Sequence, residues 1–143
     1  MDHIVYVDAK ASELEKLLDG TKTTIIRGAA GRKMPYGRVN PGDVLYLINN
    51  NAEGLIRAKA KVENVFNSEK MTKKDSTQLV SDNQEGLQLT PQQINRWAGK
   101  RYLVIIEVGE ISELEPFSID KSDFGNMDDW LLVENIKQVK ITR

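Results

Sequence analysis

The chain has 143 residues, of which 40% are hydrophobic, and its 20 basic and 21 acidic side chains leave a net charge of −1. A chain of this length favours one domain with a substantial core, so residues 1–143 are expected to form a single domain. The sequence contains no cysteine, which excludes disulfides, thiolate metal sites and a cysteine nucleophile.

The N-terminal residues lack the basic and long apolar segments that are typical of a signal peptide. The longest apolar runs in the chain are also far shorter than the ~20 residues that a membrane-spanning helix needs. We therefore expect a cytoplasmic protein that does not associate with membranes.

The N-terminal segment predicts a strand followed by a short helix. His3–Val7 alternates in polarity and is rich in β-forming residues, which is typical of a strand. Ser12 and Glu15 have the spacing of a capping box, and an apolar stripe of leucines follows, so a helix is predicted over Ser12–Asp19. Gly20 then stands where the end of a helix commonly takes a left-handed conformation.

A strand, a long loop and a hairpin are predicted next. Thr23–Arg27 is rich in β-branched residues and predicts a strand. Residues 28–42 hold four glycines and two prolines, and this irregular segment is long enough to be a functional loop. The sequence Asn40–Asp43 is typical of a turn, and Val44–Ile48 predicts a buried strand. Asparagines and a glycine over 49–54 predict the turn of a hairpin.

The strand that completes the hairpin, Leu55–Phe66, carries a row of cations. Arg57, Lys59 and Lys61 recur at every second position, so they are predicted to share one face of the strand. We expect this face to be the solvated side of an edge strand, where charge opposes aggregation.

Two helices are predicted in the middle of the chain. Part of the polar segment 68–84 predicts a surface helix. Thr90, Pro91 and Gln93 provide an N-cap, a proline at the first helical position and the glutamine of a capping box. A helix is therefore predicted to begin at Thr90 and to end at Gly99.

The C-terminal part predicts further strands. The apolar run Tyr102–Val108 predicts a central strand, and Ile111–Phe117 predicts a separate short one. A polar loop over 120–129 leads through Trp130–Val133 to a last strand near Val139–Thr142. The chain lacks regular βαβ alternation, so we predict an α+β fold with a mixed or antiparallel curved sheet and peripheral helices.

Positive charge is concentrated in the segment 20–38. This segment has five cations and no acid, whereas the remaining chain has 15 cations and 21 acids. The five are Lys22, Arg27, Arg32, Lys33 and Arg38. A near-neutral protein with one positive segment is expected to have a local site for anions.

The first two of these cations belong to the spacing Gly20-x-Lys22-x-x-x-x-Arg27, which follows the leucine-rich helix. A Pro41–Asp43 turn then leads into an apolar strand. In these features the sequence resembles the ASCH family of the PUA-like superfamily, most closely over Leu14–Leu47. The resemblance implies a small mixed or antiparallel PUA-like β-barrel with peripheral helices, and a cleft beside the motif that suits RNA or a nucleotide.

The function implied is that of an RNA- or nucleotide-binding module that needs no cofactor. Phosphates and base edges are the expected contacts of Lys22 and Arg27, and Tyr36 is the best candidate to stack on a base. The predicted binding residues are Gly20, Lys22, Arg27, Arg32, Lys33, Tyr36 and Arg38. DNA is a further candidate ligand, and the protein is expected to be a monomer.

A first alternative is an enzyme. Some ASCH proteins resemble amidohydrolases that deacylate a modified cytidine nucleoside with the motif lysine, a threonine three positions later and a glutamate. Lys22 matches this lysine and would be the catalytic residue of such an enzyme. Ile25 stands where the threonine is expected, and Glu53 and Glu63 are the nearby candidates for the glutamate.

A second alternative is a reader of a modified DNA base. Related PUA-like families flip a base into an aromatic pocket. In this chain a solvent-exposed Trp130 beside Tyr36 would support that function.

The remaining polar and aromatic residues favour structural roles. His3 is the only histidine, so a two-histidine ribonuclease mechanism is excluded and a structural or surface position is expected. The acidic residues from Asp120 to Asp129 lack the spacing of an EF-hand and are expected to be a solvated loop. No metal site is predicted, and Trp97 and Trp130 are expected in the core.

Overall fold

The computed structural model describes residues 1–122, 124 and 129–141. Within these residues no helix is long and apolar enough to cross a membrane. The elements in chain order are β1 Asp2–Val7, α1 Glu13–Leu18, β2 Thr24–Ala29, β3 Val44–Asn49, β4 Leu55–Asn67, α2 Lys73–Asp82, α3 Gln84–Leu87, α4 Pro91–Trp97, β5 Tyr102–Ser118, β6 Trp130–Glu134 and a 3-10 helix Ile136–Gln138.

The six strands form one sheet in the order β2-β5-β4-β3-β1-β6, which curves into a half-barrel. Neighbouring strands are antiparallel except for β1 and β3, which pair in parallel. This mixed, curved sheet with peripheral helices confirms the predicted α+β fold. The hairpin predicted between β3 and β4 is also confirmed.

The main core fills the concave side of the curved sheet. Apolar side chains of β1, β3, β4 and β5 pack there against the leucines of α1. On β4, Ile56, Ala58, Ala60 and Val62 are buried, while the lysines between them are exposed. The predicted alternation of this strand is therefore confirmed, with its lysines on the solvated face. The expectation of an edge strand is wrong, because β4 lies between β5 and β3 in the sheet.

A second apolar cluster joins the short helices to β2 and β5. Ile26 of β2 and Leu103 of β5 pack against Leu87 of α3 and Trp97 of α4. Because Trp97 is the last residue of α4, this packing brings the end of that helix next to Arg27, which follows Ile26 in β2. The cluster thus positions residues from two distant parts of the sequence side by side.

The start of α4 is a complete capping box, as predicted. Oγ1 of Thr90 accepts a hydrogen bond from the backbone N–H of Gln93 (3.3 Å), and the Gln93 side chain accepts one from the backbone N–H of Thr90 (3.0 Å).

Replacing Thr90 by alanine is expected to lower the free energy of unfolding by about 1 kcal/mol, because one N–H of the first turn then loses its partner. Urea denaturation of the Thr90→Ala variant checks this value, with Thr77→Ala on the exposed face of α2 as a control. A loss equal to that of the control would contradict a stabilising role for the cap.

The start of α1 differs from the prediction. Ser12 adopts φ of 54° and its side chain makes no capping hydrogen bond, so the predicted capping box with Glu15 is wrong. Glu13 instead accepts a hydrogen bond from the backbone N–H of Asp8 (2.8 Å) and is only 5% exposed. The left-handed conformation predicted for Gly20 is confirmed by its φ of 82°.

Two predictions for the C-terminal strands are wrong. The strands predicted at Tyr102–Val108 and Ile111–Phe117 are one strand, because a bulge with Glu110 at φ of 47° lets the chain bend without leaving the sheet. No strand forms over the described residues 139–141, where only a single bridge joins Lys140 to Ile119. Thr142 lies outside the described residues.

Candidate functional site

A cleft of about 280 Å³ lies between β2, the loop that follows it and the end of α4. Backbone and small side chains of Gly28, Ala29 and Gly31 form one wall. The charged and aromatic residues that line it are Arg27, Lys33, Tyr36, Arg96, Trp97, Lys100, Tyr102 and Asp129.

The cleft is strongly positive. Among the described residues it is lined by four cations, Arg27, Lys33, Arg96 and Lys100, and by one carboxylate, that of Asp129. The chain as a whole has a net charge of −1, so this charge is local. A concave surface with one sign of charge focuses the electrostatic field and attracts anions.

Arg27 is the buried member of this set, with a side chain only 8% exposed. One terminal nitrogen donates to the carbonyl of Ile26 (2.7 Å) and the other to the carbonyl of Tyr6 (2.6 Å). Among the described residues, Nε of Arg27 has no hydrogen-bond acceptor. The guanidinium is thus held at both terminal nitrogens, whereas its Nε–H has no hydrogen-bond partner among the described residues.

Two indole rings hold this guanidinium. Its central carbon lies 5.7 Å from the ring centre of Trp97 and 5.6 Å from that of Trp130. Both tryptophans are buried, at 7% and 2% exposure, which confirms the core positions predicted for them. Cation–π attraction in such a desolvated place stabilises the charged guanidinium at the edge of the cleft.

The carboxylate of Asp129 lies between two arginines. Its Oδ2 is 3.4 Å from Nε of Arg27 and 3.7 Å from a terminal nitrogen of Arg96. The Asp129 side chain is 42% exposed, and its backbone carbonyl accepts a hydrogen bond from the N–H of Tyr6 (3.0 Å). The backbone of Asp129 is therefore anchored while its side chain reaches solvent.

Two tyrosines line the outer part of the cleft. Tyr36 and Tyr102 meet edge to face, with ring centres 5.7 Å apart, and both are half-buried. The guanidinium of Arg32 lies 5.7 Å from each ring centre. The hydroxyl of Tyr36 donates to the backbone carbonyl of Ser68, which fixes the loop against the end of β4.

Lys22 does not line the cleft. It is 1% exposed, donates a hydrogen bond to the carbonyl of Leu87 and lies 3.6 Å from Oε2 of Glu13. Burial lowers the pKa of Lys22 to about 8; the negative charge of Glu13 partly offsets this shift, and the positive charge of Arg27 adds to it. The lysine that the motif points to is thus an interior group that joins α1 to α3.

Gly20 and Arg38 also lie outside the basic cleft. Gly20 borders a separate cavity whose charged lining residues are all acidic: Glu63, Asp82, Glu85 and Glu107. Arg38 is exposed in the loop after β2 but does not line the cleft. Of the seven predicted binding residues, Arg27, Lys33 and Tyr36 line the cleft, and Arg32 contacts the ring of Tyr36.

A small polar cavity of about 70 Å³ adjoins the cleft. The two share Arg27, Arg96, Trp97 and Asp129 as lining residues. Asp8, Glu13, Asn50 and Gln93 add polar groups to the small cavity. Since Glu13 lines it and also faces Lys22, this cavity is the nearest point of the cleft region to the buried lysine.

His3 has the structural role predicted for it. Its Nδ1 accepts a hydrogen bond from the indole N–H of Trp130 (3.0 Å), and its Nε2 lies 2.8 Å from Oδ2 of Asp43. Because Nδ1 is an acceptor, Nε2 carries the proton and donates to Asp43. The contact joins β1, β6 and the turn before β3, away from the cleft.

The other sequence-predicted features lie elsewhere. Arg57, Lys59 and Lys61 are on the solvated face of β4 and do not reach the cleft. Of the acidic loop predicted over 120–129, Asp123 and Asp128 lie outside the described residues, whereas Asp129 is part of the site.

Sequence reasoning missed Arg96, Lys100 and Tyr102. Residues 96–102 contain three cations and two aromatic side chains. This mixture is typical of nucleic-acid-binding surfaces and could have indicated that the segment belongs to the site. Arg96 lies in α4, Tyr102 begins β5, and Lys100 lies in the short connection between them. Their position opposite the segment 27–36 follows only from the packing of α4 on β2.

No protein-family model and no curated protein matches the sequence. Among solved structures, three crystal structures of an ASCH protein from Zymomonas mobilis are similar: the unmodified protein and two single-residue variants. Sequence identity is 13% in each case, and TM-scores are 0.69, 0.69 and 0.70. The match covers 96% of this chain and 91–94% of the Zymomonas chains. The chain therefore has the ASCH fold.

Proposed function

Starting from an ASCH-like fold with one basic, aromatic cleft, we propose that this protein binds RNA and accommodates unpaired nucleotides in that cleft. The observation that carries the proposal is the lining of the cleft, where four cations, three aromatic rings and one carboxylate meet within the described part of the chain. The fold alone does not determine a ligand, so the proposal depends on this chemistry.

The cations suit the sugar–phosphate backbone. Three of the cations are exposed at the mouth of the cleft, where their long side chains can reach phosphates: Lys33, Lys100 and Arg96. Such contacts supply most of the affinity of a nucleic-acid site and little sequence preference. Arg32 adds a further cation, whose guanidinium lies over the two tyrosine rings.

The aromatic rings suit unpaired bases. Tyr36 and Tyr102 each present part of a ring to the cleft, and a base stacked on such a ring gains about 1–3 kcal/mol. Stacking requires bases that are not already paired, which favours single strands, loops and ends of RNA over a regular duplex.

Replacing Lys33 and Lys100 together by alanine is expected to weaken the binding of single-stranded RNA and to reduce its salt dependence. Each lost phosphate contact lowers the slope of log K against log salt by about 0.7, so the double variant is expected to lose about 1.4. Fluorescence anisotropy of a labelled RNA across a salt series measures both quantities.

The matched control is the Lys59→Ala/Lys61→Ala variant, which removes the same charge from the exposed face of β4. If the two double variants weaken RNA binding equally, the effect comes from net charge and the cleft is not the site. If the unmodified protein does not bind RNA even at low salt, the proposed function is wrong.

The enzymatic alternative has weaker support. Nζ of Lys22 is enclosed by Glu13 and Leu87, and the isoleucine in place of the expected threonine, Ile25, is fully buried. Among the described residues, Lys22 lines neither the cleft nor the small cavity beside Glu13. Release of acetate from an acylated cytidine, measured with the protein and with its Lys22→Met variant, tests this alternative.

The proposal of a modified-base reader also has weaker support. A solvent-exposed Trp130 beside Tyr36 would support it, whereas Trp130 is 2% exposed and donates its N–H to His3. The base-stacking surface of the RNA proposal needs only Tyr36 and Tyr102.

A further inference from the structure

The cleft contains a carboxylate of the protein itself, that of Asp129, at the position where an anionic ligand would bind. The carboxylate of Asp129 lies between Arg27 and Arg96, at the place where the cleft meets the small polar cavity. Asp129 is the only acid that lines the cleft among the described residues.

The carboxylate does not satisfy the two arginines. Its distances of 3.4 Å and 3.7 Å are ion-pair distances, and the Nε–H of Arg27 has no hydrogen-bond acceptor within the described part of the chain. Arg27 is more than nine-tenths buried, and a buried donor without a partner is costly. An anion that reaches Nε more closely than Asp129 does would satisfy this donor.

Asp129 can be displaced at small cost. Its side chain is 42% exposed and that of Arg96 is 58% exposed, and exposed ion pairs contribute little to stability. The backbone of Asp129 remains fixed by its hydrogen bond to the N–H of Tyr6. A rotation of the side chain towards solvent is thus enough to free the two guanidiniums.

The charge of the ligand's anionic group determines whether it binds the two arginines more strongly than the Asp129 carboxylate does. An internal phosphodiester carries one negative charge, as the Asp129 carboxylate does, so replacing one by the other gains little. A terminal phosphate monoester carries about −1.5 to −2 charges at pH 7 and three strong acceptor oxygens, so it gains at both arginines.

We propose that Arg27 and Arg96 form a subsite for the terminal phosphate of an RNA or nucleotide, and that the Asp129 carboxylate occupies this subsite in the free protein. In the complex, Nε of Arg27 donates to one phosphate oxygen and the guanidinium of Arg96 to another. The base then lies towards Tyr36 and Tyr102. This inference deepens the proposed function and rests on it for the RNA part of the ligand.

The test compares three labelled RNAs of the same short sequence: one with hydroxyl groups at both ends, one with a 5′-phosphate and one with a 3′-phosphate. One phosphorylated form is expected to bind about tenfold more tightly than the unphosphorylated form. Asp129→Asn is expected to increase this preference by about fivefold, because the competing carboxylate is gone. Arg96→Gln is expected to abolish it.

The matched control is Asp82→Asn, which makes the same charge change at an exposed position near the acidic cavity. The preference for the phosphorylated end should not change in that variant. RNA binding without any preference for a terminal phosphate, or a preference that Asp129→Asn leaves unchanged, would overturn the inference while leaving the RNA-binding proposal intact.

A second measurement keeps the inference testable if RNA does not bind. Titration with inorganic phosphate, followed by ¹⁵N NMR of the arginine Nε–H signals, is expected to shift the signal of Arg27. The Asp129→Asn variant should reach half of that shift at about one-fifth of the phosphate concentration. Equal titration curves for the two proteins would contradict the phosphate subsite, whether or not the protein binds RNA.

Discussion

Replacing Lys22 by methionine is expected to lower the free energy of unfolding by about 3–5 kcal/mol at pH 7, because the change leaves a buried carboxylate without its partner. Glu13 is 5% exposed, and its Oε2 lies 3.6 Å from Nζ of Lys22. The substitution also removes the hydrogen bond to the carbonyl of Leu87, which is buried in α3.

The double variant Lys22→Met/Glu13→Gln separates the ion pair from packing. The introduced amide would keep an oxygen for the N–H of Asp8 and would carry no charge, so most of the lost stability is expected to return. Urea denaturation of the unmodified protein, both single variants and the double variant gives the coupling energy. A loss below about 1 kcal/mol in Lys22→Met, or fully additive losses, would contradict a buried ion pair.

The stability of the protein is expected to rise between pH 8 and pH 10 through the titration of Lys22. Burial lowers the pKa of Lys22 from 10.5 in the unfolded chain to about 8 in the folded protein. In this interval the unfolded chain therefore binds more protons than the folded protein, so the free energy of unfolding increases with pH. The expected gain over these two pH units is about 2 kcal/mol.

Other groups titrate in the same pH range, so the effect of Lys22 is measured as the difference in free energy of unfolding between two proteins. The free energy of unfolding of the unmodified protein, minus that of Lys22→Met, is to be determined by urea denaturation at several pH values from 7 to 10. The pKa of Tyr46 is raised by burial and by Asp2, and this group is present in both proteins and cancels. A difference that stays constant with pH would show that Lys22 titrates normally.

Both predictions assign a structural role to Lys22, the lysine of the motif. Within Gly20-x-Lys22-x-x-x-x-Arg27, the lysine ties α1 to α3, whereas the arginine lies at the edge of the cleft between two indole rings. For Arg27, the same buried setting that fixes the guanidinium also leaves Nε without a hydrogen-bond acceptor in the described part of the chain.

Short-range signals in the sequence were sufficient for most elements. The capping box of Thr90, the turn of Asn40–Asp43 and the left-handed Gly20 each depend on a few adjacent residues, and each is present as predicted. Ser12 shows the limit of such signals. The spacing of a capping box is present there, but the inward position of Glu13 imposes a backbone conformation in which the serine cannot cap.

Contacts between residues that are far apart in the chain could not be predicted from the sequence. Arg96 and Lys100 are about 70 positions from Arg27, and they join it because Trp97 packs on the same cluster as Ile26. The charge of Lys22 was expected to be available to a ligand, but the packing of α3 over β2 encloses it.

The α+β class, the turns and caps, and the existence of one positive region could all be predicted from the sequence, since they depend on periodicity, local backbone preference and composition. Which cations face the cleft, which one is buried and which acid lies among them became clear only from the folded structure. Side-chain burial and electrostatic contact depend on distances between elements that are far apart in the chain, and those distances are set by the packing of the core.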